Sequence, residues 1–591
     1  MALTPRLRGA SHVFADHRRH IFSRRRSNLP GILGSSLGPH AKYMNQTTHR
    51  AASTAVPNWA VENPYLSVLA PRFFEQPAEA DWSDLARRVV RMFTTVERRH
   101  VSETEALALA DQLYALVHDG AFMPNSPVMM NSEHETSINL FACHVLAPPV
   151  DAQSMEIAGK IHDGCGGIGY DLTSVADPVA MTQFIETQTS QLNPTRKRKA
   201  HSAVTLHVDH PMVTPFIGMS SSLEITHTNV ELDAPFFIAL ESQDQKAVSI
   251  WDDICNSIYS NGRPAIAFGE HKSLRSPNGE RLILNVCGES LLRENESSLI
   301  GSLNASRFVS NGVFDDARFK DAVAMAVHCL DNLHDIQSHA SPVVAARCLE
   351  SRKIGISIMG YADALLLMGV RYGTPEALSF ATRIMGLVKN AARTTSEQLA
   401  ISRGSCDPSL LREGEQLRRN ASLMAIAANG TLSLLANVSG GIEPIFSYVI
   451  RQTVEGRVIH QMQPTLRRLL HQNGLSNADI AQITDALVQG ALPEELALIP
   501  GTVRQAMVRA HDLKASDHIR TQATFQAFID GGISKTINLP PNITVDEISA
   551  AILDARASGC VGISLYRDGS ISGQPSQMAK VQESSEQGAA P

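Results

Sequence analysis

The sequence predicts an α/β fold with a helical segment in front of it, and two observations carry this. Residues 83–118 read as helices: Ser102 and Glu105 form a capping box, and Ala106, Leu109, Leu113 and Leu116 follow on one face. From about residue 138 onward, short apolar runs such as Ile354 to Met359 and Val561 to Tyr566 alternate with longer helical stretches, which is the pattern of a parallel α/β core. Near the C-terminus, Thr544 and Glu547 cap a helix carrying Ile548, Ile552 and Ala555, and Gly559 closes it before the next strand.

This divides the chain into a basic leader (1–55), a helical N-terminal domain (56–135), an α/β body (136–570) and a tail (571–591). The leader contains Arg24-Arg25-Arg26 and has Asp16 as the one acid of its first fifty residues. A transit peptide and a non-specific basic leader both fit that composition. Leader and tail are expected to be disordered, the tail because it is rich in Gln, Ser and Glu.

With 591 residues, 43% hydrophobic content and a formal charge of -7, the chain has room for one large core and shows no basic nucleic-acid surface. Its apolar runs are too short to span a membrane, so a cytoplasmic protein is expected. Eight cysteines without a CxxC pair argue against a disulfide scaffold or a zinc site, and no metal site is expected. His201, His207 and His210 read as ordinary strand or surface residues, and His518, Gln522 and Gln526 as the polar face of a helix. Cys255, Cys329 and Cys348 sit in helical patterns, and Cys560 reads as a small buried residue.

Three segments carry chemistry. Asn285-Val286-Cys287-Gly288-Glu289 ends the apolar run Leu282-Ile283-Leu284, and strand alternation would put positions 285, 287 and 289 on one side. Taken alone, the segment also describes a strand end with a structural cysteine. Asn429-Gly430-Thr431-Leu432-Ser433 could open a helix whose free N–H groups meet a phosphate, or be an ordinary cap. In Gly164-Cys165-Gly166-Gly167-Ile168-Gly169-Tyr170, glycines permit close backbone approach to a ligand or a tight bend, but the spacing is not that of a dinucleotide loop.

Taken in order, these segments resemble the catalytic subunit of ribonucleotide reductase. The resemblance also rests on Pro124 to Asn131, the Cys143 segment, Gly301 to Asn304, Arg352 to Gly360, Gly430 to Pro444, Ser534 to Pro540 and Tyr566 to Ser570, and it covers about residues 60–570. The last two segments look most like the adenosylcobalamin-dependent class, and Tyr566 is not followed by the second tyrosine of a paired relay. The resemblance implies a ten-stranded α/β barrel for residues 136–570, with the catalytic cysteine on an internal loop. It implies Cys287 as the radical thiol, Glu289 as base, Asn285 as orienting group and Cys143 as a reducing thiol. It also implies Ser126, Asn429, Gly430, Thr431, Leu432 and Ser433 as contacts to a ribonucleotide, and adenosylcobalamin as cofactor.

The departures are as informative. In the family, Cys143 would pair with a second cysteine where this chain has Ser298, and the tail carries no cysteine pair. Ala428-Asn429 stands where a Pro-Thr pair is expected, with Asn429 still suited to a cap. The segments 155–164 and 171–198 are short, Arg198-Lys199-Ala200 lacks an expected glycine, and no ATP-cone is recognisable. Three readings stand. One is a cobalamin-dependent reductase drawing electrons from Cys143 with Cys165 or from an external thiol. The others are a radical enzyme without net reduction and a non-catalytic nucleotide-binding relative. A monomer and a homodimer both fit.

Overall fold

The computed structural model describes residues 56–75, 79–131, 139–192, 198–454, 457–570 and 576–578. The basic leader lies outside them. So does most of the tail, but Ser576–Met578, expected to be unstructured, pairs antiparallel with Ile450–Gln452. An edge strand's free N–H and C=O groups recruit even a polar segment.

The main sheet is built from β1 (Phe122–Pro124), β2 (Cys143–Leu146), β3 (Gly167–Asp171), β4 (Ser202–His207), β5 (Thr226–Leu232) and β6 (Ala265–Phe268). A two-residue pair, β7 (Ile283–Leu284) and β8 (Leu291–Leu292), interrupts it. It resumes with β9 (Glu296–Asn304), β10 (Ile354–Met359), β11 (Thr536–Leu539) and β12 (Gly562–Arg567).

Strands β2 to β6 run parallel to their neighbours in sequence order. In the other half β9 pairs parallel with β10, and β11 with β12. The halves meet antiparallel twice, at β6–β12 and at β2–β9. The gap between β10 and β11 is filled by residues 422–427. On one side Ile354 N and Ile356 N donate to Ser422 O and Leu423 O; on the other, Gly531 N and Ser534 N donate to Met424 O and Ile426 O. Parallel bridges Ile356–Met424 and Ile426–Ile533 mark the same closure. The result is the expected ten-stranded α/β barrel: two five-stranded parallel halves joined into a ring, with β1 added beside β9.

Every residue of β9 and β10 is buried, as strands covered on both faces must be. Helices α1 (Trp82–Glu97) and α2 (Glu103–His118) form the expected entry pair, with the Ser102–Glu105 capping box in place. They pack on α3 (Asp316–Leu333), which in turn covers β9. The Thr544–Glu547 box also forms, and Gly559 leaves its helix at φ +78°. Among the described residues no helix is long and apolar enough to cross a membrane.

One local reading is corrected. His518, Gln522 and Gln526 do not form a solvated face; all are buried and hydrogen-bonded inside the protein. His518 meets the Lys535 ammonium at 3.0 Å, and Gln522 and Gln526 donate to Gly562 O and Gly531 O. The fold also brings Asp233 to His207, 3.4 Å away, a neighbour that spacing around His207 and Asp209 does not reveal.

Candidate active site

The chain linking the two half-barrels crosses the interior as the β7–β8 hairpin, with Ile283 opposite Leu292 and Leu284 opposite Leu291. Its apolar residues grip both halves. Leu282, Leu284 and Leu291 pack on Ala267 and Val561, while Ile283 and Leu292 pack on Val145. Charged residues pin both ends: Arg281 pairs with Asp171 and Glu231, and Arg293 with Glu296. Lys353 Nζ donates to Leu291 O (3.0 Å) and to Glu296 Oε2 (2.8 Å), tying β8 to the start of β10.

Residues 285–290 form the reversal of this hairpin, which corrects the expected alternation: the strand stops at Leu284. Asn285 N donates to Ser290 O, Ser290 N donates to Asn285 Oδ1, and Gly288 N donates to Asn285 O, with Gly288 at φ +78°. Asn285 and Glu289 are buried, and Cys287 projects from the tip.

The glycine-rich segment at 164–170 accommodates protein backbone. A Cβ on Gly169 would lie 2.4 Å from Leu284 O, and one on Gly167 3.0 Å from the Val286 side chain. From the opposite side, a Cβ on Gly532 would lie 2.1 Å from Gly288 O, and Gly532 N donates to Glu289 O at 2.8 Å. The Gly531-Gly532 pair, held by Gln526, was missed by sequence reasoning; the adjacent glycines were its one local signal.

At the tip, Cys143 Sγ donates to Glu289 Oε1 at 3.0 Å. Burial, reinforced by Glu289 and Cys287, holds the Cys143 thiol well above its ordinary range. Cys287 is accessible yet set among protein atoms on most sides, so it lines an internal space. Burial, then the Glu289 charge, pushes its thiol up to about 12, so it keeps its proton at neutral pH. Burial also raises Glu289, against the Cys143 hydrogen bond, Arg198 and the approach of the Asn285 amide, which falls short of hydrogen-bond geometry. Arg198 acts electrostatically on all three groups while its guanidinium donates to Cys165 O at 2.7 Å. Glu289 Oε2, Asn285 Nδ2 and Ser290 Oγ are buried without hydrogen-bond partners, an expensive condition that a bound polar molecule would relieve.

Ser298 lies directly opposite Cys143 in the β2–β9 pairing. Its hydroxyl donates to Lys353 O at 3.3 Å. The neighbouring pair, His144 and Ser297, hydrogen-bonds at 2.6 Å on the opposite face of these strands.

The remaining expected site residues gather further along β9. Ser126 opens a short helix, Ser126–Asn131, just after β1, whose Pro124 pairs with Gly301. Asn429 precedes the helix Gly430–Ala436 and does not cap it; at φ +57° its buried side chain turns inward. It accepts from Ser302 Oγ at 2.6 Å and faces Ser357 and Ile358 O. Ser433 N and Ser433 Oγ are bonded to Asn429 O and Gly430 O. Ser298 and Ser302 lie four positions apart on β9, roughly 13 Å at the rise of a strand, so a site running between them has the length scale of a nucleotide.

The family model for the ribonucleotide reductase barrel domain matches residues 230–415 and 409–566. Among curated relatives, a vitamin B12-dependent ribonucleoside-diphosphate reductase of Mycobacterium tuberculosis is 28% identical over 544 residues, 84% of this chain and 77% of that protein. Its namesake from Thermoplasma acidophilum is 28% identical over 494 residues, 76% and 63% of the two chains. The solved Actinobacillus ureae class Id ribonucleotide reductase alpha subunit shares the fold, with TM-score 0.71 at 16% identity, covering 88% of this chain and 99% of its own. With the family model spanning more than half its length, the chain belongs to the ribonucleotide reductase family.

Proposed function

We propose that this protein reduces ribonucleotides to deoxyribonucleotides with adenosylcobalamin as cofactor. The observation that carries the reading is the interior hairpin tip, where an accessible, proton-retaining Cys287 stands beside Glu289, Asn285 and Cys143. Its relatives' names point the same way.

The residues fit such a cofactor: Cys287 is an accessible S–H donor, and open space lies beside Gly288. Adenosylcobalamin, when bound, supplies the radical equivalent. Cys287, once its own S–H hydrogen has been given up, takes the 3'-hydrogen of the ribose and returns it at the end of the cycle, while Glu289 accepts the 3'-hydroxyl proton and the unpartnered Asn285 amide orients the sugar hydroxyls. Water departs from the 2'-carbon, and Cys143 returns hydrogen there. Ser126 and the amides of residues 430–432 hold the phosphates, with Asn429 setting the start of that helix from behind.

The test incubates the protein with adenosylcobalamin, a thiol and each ribonucleotide, and measures deoxynucleotide formation. Deoxynucleotide supports the reductase. Release of 3'-hydrogen without deoxynucleotide would instead favour a radical enzyme without net reduction, a second reading that Ser298 opposite Cys143 keeps in play. Neither product, with no cofactor binding, would leave a nucleotide-binding relative.

A further inference from the structure

We infer that a small monothiol enters the barrel as a co-substrate and is joined to Cys143 as a mixed disulfide in every turnover. This rests on the reductase reading and names the missing reductant.

Two-electron reduction at the 2'-carbon consumes two hydrogens, and Cys143 carries one. The position directly across the strand pair holds Ser298, whose hydroxyl is engaged by Lys353 O, so it offers no second sulfur. Cys348 lies near this strand, but its thiol faces Ser297 O, in the layer that carries the His144–Ser297 bond, behind the sheet. Cys287 is near, but it must end each cycle as the S–H it began with. The second sulfur is assigned to a molecule from outside, needed while the substrate radical exists; Cys165, two residues before the Gly167 that pairs with Cys143, is the intramolecular alternative that disulfide mapping separates from it.

Burial restricts its size. Cys143 and Ser298 are 4% and 3% exposed, whereas Cys287 is accessible from the internal space. Such burial favours a molecule of a few heavy atoms as the partner of Cys143. Unpartnered Glu289 Oε2 and Ser290 Oγ, both on buried residues, leave hydrogen-bonding capacity unused around the same carboxylate that holds the Cys143 thiol.

The step balances. The S–H bonds of Cys143 and of the monothiol break, one S–S bond forms between the two sulfurs, and the two hydrogens convert the 2'-C–OH to C–H and water. A second monothiol then attacks the mixed disulfide, restoring Cys143–SH and releasing the symmetrical disulfide.

The experiment uses pre-reduced, thiol-free full-length enzyme with adenosylcobalamin and ribonucleotide, then the same mixture with 2-mercaptoethanol, acid-quenched for peptide mass spectrometry. Expected are no deoxynucleotide without thiol, saturable turnover with it, and a 2-mercaptoethanol adduct on the Cys143 peptide. S298C restores a cross-strand thiol and should yield one deoxynucleotide per site without any thiol, leaving a disulfide between Cys143 and the introduced cysteine. One deoxynucleotide per thiol-free wild-type site would overturn the inference while leaving the reductase intact, especially with a Cys143–Cys165 or Cys143–Cys287 disulfide. So would turnover without an adduct on Cys143. No deoxynucleotide from wild type or S298C under any condition would overturn the reductase reading and this inference with it.

Discussion

Glu289 acts on both Cys287 and Cys143, yet the two thiols are held in unlike ways. Cys287 sits on a reversal fixed by backbone: Gly169 and Gly532 press on it from opposite walls, and Lys353 and Arg281 tie its ends. Cys143 sits in a regular strand, and its expected partner position is one side chain facing it across an antiparallel pair. A change at the first site must be absorbed by both half-barrels. A change at the second costs the fold little. On the proposed function, the comparison teaches why the group assigned to hydrogen abstraction is retained in a chain with serine at the position assigned to its reducing relay.

The sharpest way to break this comparison is to remove each thiol. Cys287→Ala should abolish both 3'-hydrogen exchange and deoxynucleotide formation, whereas Cys143→Ala should abolish deoxynucleotide and keep exchange, followed with tritium at the 3'-position. Loss of exchange in both variants would make the two thiols one unit.

Gly532→Ala comes next. Its Cβ would meet Gly288 O at 2.1 Å, and backbone cannot swing aside. Displacing the tip by about 1 Å should lower kcat roughly 100-fold. The same overpacking should cost about 1–3 kcal/mol in urea unfolding. An unchanged kcat would show that the tip is not located by this contact.

Lys353→Met removes the partner of buried Glu296 and the bond to Leu291 O. Because Arg293 still pairs with Glu296, we expect the lower end of the range for a broken buried pair, about 3 kcal/mol by chemical denaturation.

The smallest effect concerns Arg198. Glu289 works as a base only when ionised, burial raises its pKa, and Arg198 opposes that rise. Arg198→Gln should therefore move the acid limb of the kcat/KM profile to higher pH. A limb that stayed in place would put Arg198 outside the working electrostatics of the site.

Features with local causes were legible in the sequence. Ile354–Met359 is a strand as read, and the Ser102–Glu105 and Thr544–Glu547 boxes form because each needs only residues three apart. The site residues were named through ordered motifs, but the reason for their geometry was not legible. A two-residue strand leaves no periodicity to read, and Gly169 and Gly532 are explained only by carbonyls more than one hundred residues away. Asn429 failed as a cap for a similar reason. Its side chain is engaged by Ser302 on β9, a partner that no local pattern announces.

The strand at 422–427 carries a further consequence, for the order in which the protein is made. The tip at Gly288 and Glu289 rests on Gly531 and Gly532, which are themselves stitched to Met424 and Ile426. A nascent chain emerging from the ribosome can complete the first half-barrel and the hairpin long before either glycine has been synthesised. Until the ring shuts, Cys287 has no fixed position. On the proposed function, the radical site is thus completed only in the last quarter of translation, and a chain truncated before Gly531 would carry the motif without its support.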